Sequence, residues 1–204
     1  MGELRKTSSK SEFIGQTNLL WTGREYYSLE NCVVNVRPGG ASITSTIVGL
    51  YDEKIYQVDY RIQTSQNWET LSLEIKYRQS NKMQVIRLEG DGKGSWMKNG
   101  EQADEFKGCI DVDISLTPFT NTLPISRLPM RQHDSQDIHV LYCDLLAGEL
   151  RPVFQKYTRL SETEYRYQNI PNDFGATIEV DEAGFVVDYP QLFVRTAAFT
   201  FPSE

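Results

Sequence analysis

Cysteine, histidine and long apolar runs are scarce in this chain of 204 residues, and each scarcity excludes a class of protein. Cys32, Cys109 and Cys143 are odd in number and lack the close spacing of a zinc site or a redox CxxC motif. We therefore predict reduced thiols in a cytoplasmic protein, with no metal site and no cofactor. No stretch approaches the ~20 apolar residues that span a bilayer, so no transmembrane segment is expected.

Positive charge is also in deficit, because 21 Lys and Arg residues stand against 28 Asp and Glu residues, for a formal net charge of -7. A general nucleic-acid binder normally carries a basic surface that neutralises phosphates, so the balance argues against a nucleic-acid partner. The N-terminus is polar and has no apolar core of a secretory signal. We predict a polar tail over residues 1–12 and a single β domain over residues 13–204.

Alternation of apolar and polar residues runs through most of the chain. In residues 54–64, Tyr, Val or Ile at every second position alternates with Gln, Asp or Arg, as a half-buried strand requires. No long segment has a helical period, and no alternation of strands with helices appears. Strands of about ten residues would be roughly 33 Å long, which suits a large sheet. We predict an all-β fold: a large curved antiparallel sheet, arranged as a spiral β-roll or an open barrel.

Two glycine-containing turns support this prediction. Residues 90–94 contain three glycines between two strand patterns, and residues 181–184 repeat an acidic turn ending in glycine. The first turn lacks the Lys-Ser/Thr ending of a phosphate-binding loop and no helical pattern follows it, so a hairpin is the preferred interpretation. The two hairpins, near residues 83–98 and 177–189, give a weak indication of internal duplication.

Residues 108–128 are unusual in composition. A strand with two outward acids, Asp111 and Asp113, leads into a polar loop bracketed by Pro118 and Pro124. Proline fixes its own φ and biases the preceding residue towards extended geometry, so we expect a rigid loop. A rigid polar loop can serve as a ligand shelf, or it can be a structural plug whose Thr and Asn side chains cap turns.

The same residues, 108–128, closely resemble the signature of a bacterial family described as "putative glycolipid-binding" proteins. Supporting matches, which extend from about Trp21 to Arg195, are Trp21 with Gly23 and Glu25, Tyr60, and residues 67–70, 92–96, 155–158 and 180–190. The resemblance implies an all-β spiral roll or open barrel, similar in outline to periplasmic lipid carriers, and a lipid or glycolipid ligand. Asn67 replaces an expected Asp and Ser126 an expected basic residue, and both departures weaken a charged head-group site.

The first functional hypothesis is therefore a non-enzymatic protein that binds a small amphiphile in an apolar hollow of the curved sheet. We predict that Trp21, Tyr60 and Trp68 provide wall surface, and that Asn121 and Arg127 contact the polar end of the ligand. Several of the eleven tyrosines could also line a cavity, although strand packing explains them equally well. These tyrosines are Tyr26, Tyr27, Tyr56, Tyr60, Tyr77, Tyr165, Tyr167 and Tyr189.

Two alternatives stay open. The first alternative is a hydrolase acting on a small ester or sugar conjugate, with Asp111, Asp113 or one of the two histidines, His133 and His139, in an acid–base role. No nucleophile or third ligand lies near the two acids in sequence, so no catalytic residue is assigned and a non-enzyme is favoured. A protein-interaction module would need no cavity at all.

Overall fold

The computed structural model describes residues 14–171 and 173–203, and these form one curved sheet of 15 strands that does not close into a barrel. This confirms the predicted all-β class, while the predicted tail of residues 1–12 lies outside the described residues. The strands are β1 Gly15–Gly23, β2 Ser28–Arg37, β3 Gly40–Tyr51, β4 Lys54–Thr64, β5 Thr70–Gln79, β6 Lys82–Gly90, β7 Trp96–Lys98, β8 Glu101–Gln102, β9 Asp111–Ile114, β10 Ser135–Asp144, β11 Glu149–Arg159, β12 Glu164–Ile170, β13 Gly175–Val180, β14 Val186–Tyr189 and β15 Phe193–Pro202.

The period of two determines which face of each strand is buried. In β4, which has the predicted bounds, Tyr56, Val58, Tyr60 and Ile62 are buried, while the intervening polar residues face outward. Neighbouring strands repeat this arrangement, so their buried faces together form a continuous apolar surface. The turn at residues 91–95 joins β6 to β7 as an antiparallel hairpin, as predicted.

The order of strands in the sheet is β8-β7-β6-β5-β4-β3-β2-β1-β15-β14-β13-β12-β11-β10-β9. Strands β1–β8 form one meander and strands β10–β15 form another. The pairing of β1 with β15 joins these two halves of the sheet. All strand pairs are antiparallel except β9 with β10, which is parallel. The β9–β10 pair is therefore an exception to the predicted antiparallel sheet. It is parallel because residues 115–134 carry the chain back to the side of the sheet where β9 starts, and only then does β10 begin.

The connection from β9 to β10 contains a short helical segment where we predicted a rigid loop. A 3-10 turn at Phe119–Asn121 leads directly into α1, Thr122–Arg127. Pro124 is the third residue of α1. A backbone N–H in the first turn of a helix has no acceptor within the helix, so proline is tolerated there, and Leu123 before it stays helical. The segment is buried: Phe119 and Leu123 pack into the cluster of the β1–β8 half, and Ile125 packs into that of the β10–β15 half.

Within the described residues, no helix combines the length and the apolar character needed to cross a bilayer.

Candidate functional site

A cleft of about 370 Å³ opens between the β10–β15 half of the sheet, the turn after β1 and the segment that follows β9. We call it the aromatic cleft. Its walls include seven aromatic side chains, and its inner end carries polar ones. The aromatic residues are Tyr26, Tyr142, Phe154, Tyr167, Phe174, Tyr189 and Phe193, and the polar residues include Asp113, Asn121 and Gln155. A volume above roughly 300 Å³ is in the range of small-molecule sites.

The aromatic walls form one connected series of rings. The centroids of Tyr167 and Tyr189 are 6.2 Å apart, those of Tyr189 and Phe193 are 6.3 Å apart, and those of Phe193 and Tyr26 are 6.1 Å apart. Phe174 lies 6.1 Å from Tyr167 and closes the outer part of the wall. These separations are typical of favourable aromatic pairs, so the rings support one another in fixed positions.

Asp113 is the charged group at the inner end of the cleft. Its Oδ2 accepts a hydrogen bond from Gln155 Nε2 at 2.6 Å, and its Oδ1 accepts one from Thr120 Oγ1 at 3.1 Å. Burial raises the pKa of Asp113, and the two hydrogen bonds act in the opposite direction. Within the described residues, no lysine or arginine forms an ion pair with it. A carboxylate with two neutral donors retains capacity to accept hydrogen bonds from hydroxyl groups.

The tyrosines of the cleft keep their protons at neutral pH. Burial raises the pKa of Tyr26 to about 12. The pKa values of Tyr142, Tyr167 and Tyr189 are also raised. The main cause is burial, and the second is the negative charge of Asp113. Each hydroxyl can therefore both donate and accept a hydrogen bond beside the apolar face of its own ring.

Comparison with known proteins identifies the family. The sequence matches the family described as "Putative glycolipid-binding" over residues 18–195, which is most of the chain. The chain belongs to this family. A crystal structure of a DUF1089 family protein from Pseudomonas aeruginosa is similar, with 33% sequence identity and a TM-score of 0.75, over 81% of this chain and 91% of that one. No curated protein gives a significant match.

Asn121 is the one predicted ligand contact that the structure places in the aromatic cleft of this member of the "Putative glycolipid-binding" family. Its Oδ1 accepts a hydrogen bond from the Tyr157 hydroxyl at 2.8 Å, and its Nδ2 donates to Pro118 O at 3.1 Å. These bonds hold the amide at the inner end of the cleft, where one N–H of Nδ2 has no assigned partner among the described residues.

Two other predicted contacts, Trp68 and Arg127, line a different cavity. This end cavity has a volume of about 810 Å³, and its lining includes Val36, Trp68, Arg127 and Phe185. Arg127 donates two hydrogen bonds to Asp111, so part of its guanidinium is already engaged. The structure therefore brings Trp68 and Arg127 together, apart from Asn121.

The remaining two predicted contacts, Trp21 and Tyr60, are almost completely buried. Trp21 Nε1 donates to Val186 O at 2.9 Å, and the Tyr60 hydroxyl donates to Glu30 Oε1 at 2.7 Å. Both side chains thus belong to the packed interior of the sheet. As ligand contacts, all five residues stay predictions.

The groups of the hydrolase alternative are dispersed. Asp111 and Asp113 do not face outward as predicted: Asp111 is fully buried and Asp113 partly so, because Arg127, Gln155 and Thr120 satisfy the carboxylates. The His139 ring stacks on Phe154, with centroids 4.4 Å apart. Within the described residues, no three His, Cys, Asp or Glu side chains cluster in a way that would hold a metal.

Sequence reasoning missed several residues of the aromatic cleft. Tyr26, Tyr167 and Tyr189 were among the tyrosines expected to line either a cavity or a core, and Gln155 lies in a segment that resembles the family, but Tyr142, Phe154, Phe174 and Phe193 carried no signal. They come from β10, β11, β15 and the turn before β13, and only the pairing of these strands brings them together.

Proposed function

We propose that this chain binds an amphiphile with an uncharged, polyhydroxyl head group in the aromatic cleft and releases it chemically unchanged. The observation that carries the proposal is the position of Asp113, an acceptor without a cationic partner among the described residues, at the inner end of an aromatic-walled cleft. The family description, which names glycolipid binding, supports the same class of ligand.

The inner end of the cleft suits hydroxyl groups. Asp113 accepts hydrogen bonds, Asn121 can donate one, and the tyrosine hydroxyls can do either. A sugar-like head group offers several hydroxyl donors and acceptors on one edge and C–H groups on its ring faces. The flat sides of Tyr167 and Tyr189 would pack against those C–H groups, since aromatic rings combine apolar area with a polar edge.

Charge favours an uncharged head group over an anionic one. Glu25, Asp113 and Asp173 line the cleft, while Arg151 is the basic residue in its described lining. Arg151 lies over the Tyr142 ring, with its guanidinium carbon 5.1 Å from the ring centroid. A phosphate or sulfate would therefore enter a region with more negative than positive charge, at a cost in binding free energy.

The outer part of the cleft suits the apolar portion of the ligand. Phe154, Ile170 and Phe174 line it and remain partly exposed to solvent. Alkyl chain packed against them would remove apolar surface of both partners from water, which is favourable by roughly 25 cal/mol per Å². The ligand would thus lie with its hydroxyls towards Asp113 and its alkyl chain towards the mouth.

The proposal is tested by titrating the protein with octyl glucoside below its micelle concentration, in a calorimeter. We expect saturable binding, and we expect Asp113→Asn to weaken it about tenfold, the effect of losing a charge-assisted hydrogen bond. Gln155 can reverse its amide to accommodate the new side chain, so folding should be preserved. The control is Asp59→Asn on the outward face of β4, where affinity should not change. Absence of binding to the wild-type protein would refute the proposal.

Trp68→Ala separates the aromatic cleft from the end cavity. If the head group binds near Asp113, octyl glucoside affinity should be unchanged in this variant, because Trp68 lines the end cavity and not the aromatic cleft. A loss comparable with that of Asp113→Asn would move the ligand to the sequence-predicted pair, Trp68 and Arg127.

We also infer a cytoplasmic location for the protein. In support, Cys32, Cys109 and Cys143 are buried free thiols, as expected in a reducing compartment. Fractionation of the native cells tests this inference, and recovery from an oxidising compartment would contradict it.

A further inference from the structure

The mouth of the aromatic cleft is surrounded by exposed apolar side chains on both sides. On the first side, Tyr27 is 76% exposed and Ile55 is 72% exposed, with Leu50 and Tyr51 beside them. On the second side, Phe154 is 53% exposed, and Ile170 and Phe174 are also partly exposed while lining the cleft itself. We call these seven residues the apolar rim.

The residues on the first side of the rim form one continuous apolar surface, which lies next to the cleft. Leu50 and Ile55 are opposite each other on β3 and β4, and the neighbouring pair Leu29 and Val48 extends the apolar surface along β2 and β3. Leu50 N donates to Tyr26 O, and the Tyr51 ring lies 6.1 Å from the ring of Tyr26, which lines the cleft. Tyr26, in the turn between β1 and β2, therefore connects this surface to the cleft.

Exposed apolar surface of this extent on a folded chain marks a place of interaction. We propose that the apolar rim docks onto a lipid surface, with the mouth of the aromatic cleft facing the lipid. The inference rests on the proposed function, because a ligand with an alkyl chain is present mainly in lipid assemblies. A lipid surface would both cover the rim and supply the amphiphile, whereas a protein partner on the same rim would block the opening.

The charges around the rim favour an uncharged or zwitterionic surface over an anionic one. Lys54 pairs with Asp52 at 2.9 Å and Arg24 pairs with Asp188 at 3.0 Å, so these cations are already neutralised. Glu25 and Glu53 add negative charge nearby. Anionic membranes attract clusters of unpaired basic residues, and such a cluster is missing from the described surroundings of the rim.

Co-sedimentation with phosphatidylcholine vesicles tests the inference. We expect the wild-type protein to sediment with the vesicles, and we expect Leu50→Glu and Ile55→Glu each to lower the partition coefficient about tenfold, since each places a charge where an apolar side chain meets lipid. Both side chains are exposed, so the melting temperature should be nearly unchanged.

The matched control is Phe199→Glu. Phe199 is 66% exposed on β15, opposite Asn18 near the middle of β1, and does not line the cleft, so this substitution should leave sedimentation unchanged. Failure of the wild-type protein to sediment, or an equal loss in the Phe199 variant, would overturn the inference.

Octyl glucoside titration of the same proteins separates the two proposals. Leu50→Glu and Ile55→Glu should bind octyl glucoside like the wild-type protein, because neither residue lines the cleft. Octyl glucoside binding without vesicle binding would overturn the docking inference and leave the proposed function intact. Vesicle binding without octyl glucoside binding would overturn the proposed function.

Discussion

Arg127 holds Asp111 by two hydrogen bonds, from Nε to Oδ1 at 3.1 Å and from Nη2 to Oδ2 at 2.6 Å. Burial raises the pKa of Asp111, and the hydrogen bonds and charge of Arg127 counteract that effect. The pair joins the end of α1 to β9, the strand at one edge of the sheet. It therefore fixes the connection that also places Asn121 at the aromatic cleft and Thr120 beside Asp113.

Arg127→Ala should destabilise the protein by about 3–5 kcal/mol, because it leaves a buried carboxylate without its partner. The measurement is urea unfolding at neutral pH. Arg87→Ala is the control: this arginine is exposed, its nitrogen lies 3.8 Å from a Glu74 oxygen, and its loss should cost less than about 1 kcal/mol. Equal stability of the Arg127 variant and the wild-type protein would show that the ion pair is not structural.

Glu30 should make stability fall as pH rises from about 4.5 to about 7. Burial raises its pKa from 4.5 to about 7, although Ser45, Tyr60 and Thr117 donate hydrogen bonds to Oε1. Between the two pKa values the folded state retains a proton that the unfolded state has lost. The free energy of unfolding therefore decreases with pH in this window, by about 3 kcal/mol in total, and this contribution is constant above it.

Glu30→Gln removes the titrating group while keeping the acceptor for the three hydroxyls. Urea unfolding across the same pH window should show a flatter dependence in this variant than in the wild-type protein. Parallel curves would mean that Glu30 keeps an ordinary pKa in the folded state.

Gly94→Ala should destabilise the protein more than Gly100→Ala. Both glycines have positive φ, 94° and 86° respectively, so alanine is strained at either position. A Cβ at Gly94 would lie 2.8 Å from Gly108 Cα, whereas a Cβ at Gly100 meets nothing within 4 Å. The positive φ should cost alanine about 1 kcal/mol of stability at both positions, and the Cβ contact with Gly108 adds a further cost only at Gly94. Thermal unfolding of the two variants measures this difference. An equal loss of stability in both variants would refute the close approach of Gly94 to Gly108.

Amides in residues 119–125 should exchange slowly with deuterated water. These residues are buried, Asn121 N donates to Pro118 O, and Thr122 N donates to Phe119 O. Hydrogen exchange read by mass spectrometry on proteolytic fragments measures this, with the exposed turn residues 52–53 as the reference. Exchange as fast as in that reference would show that the segment opens readily.

The period of two was sufficient to predict most strands, because their buried faces are rich in Val, Ile, Leu and Tyr. It missed β1, whose buried positions are Gly15, Thr17, Leu19, Trp21 and Gly23. Three of these residues are small or polar, so the apolar face is not visible in the sequence. The chain buries them because β1 has partner strands on both sides.

The candidate site was less predictable than the fold. The sequence identified Asp113 as one of two acids on a predicted strand. It did not predict the hydrogen bond from Gln155, because Gln155 is 42 residues away in the chain. The aromatic walls depend on the order of the strands in the sheet. The spacing of residues within one segment of sequence does not predict that order. Trp21 and Tyr60 were predicted as cavity walls because aromatic side chains suit both cavities and cores, and the sequence alone does not distinguish the two.

The pairing of β1 with β15 has a consequence for synthesis on the ribosome. Among the described strands, β1 is made before its partner β15, so one edge of β1 stays open while β2 to β14 are being made. An open strand edge is a template for pairing with other chains. The nascent protein is thus exposed to aggregation until Phe193–Pro202 has left the exit tunnel, and truncation within β15 would leave the two half-sheets unjoined.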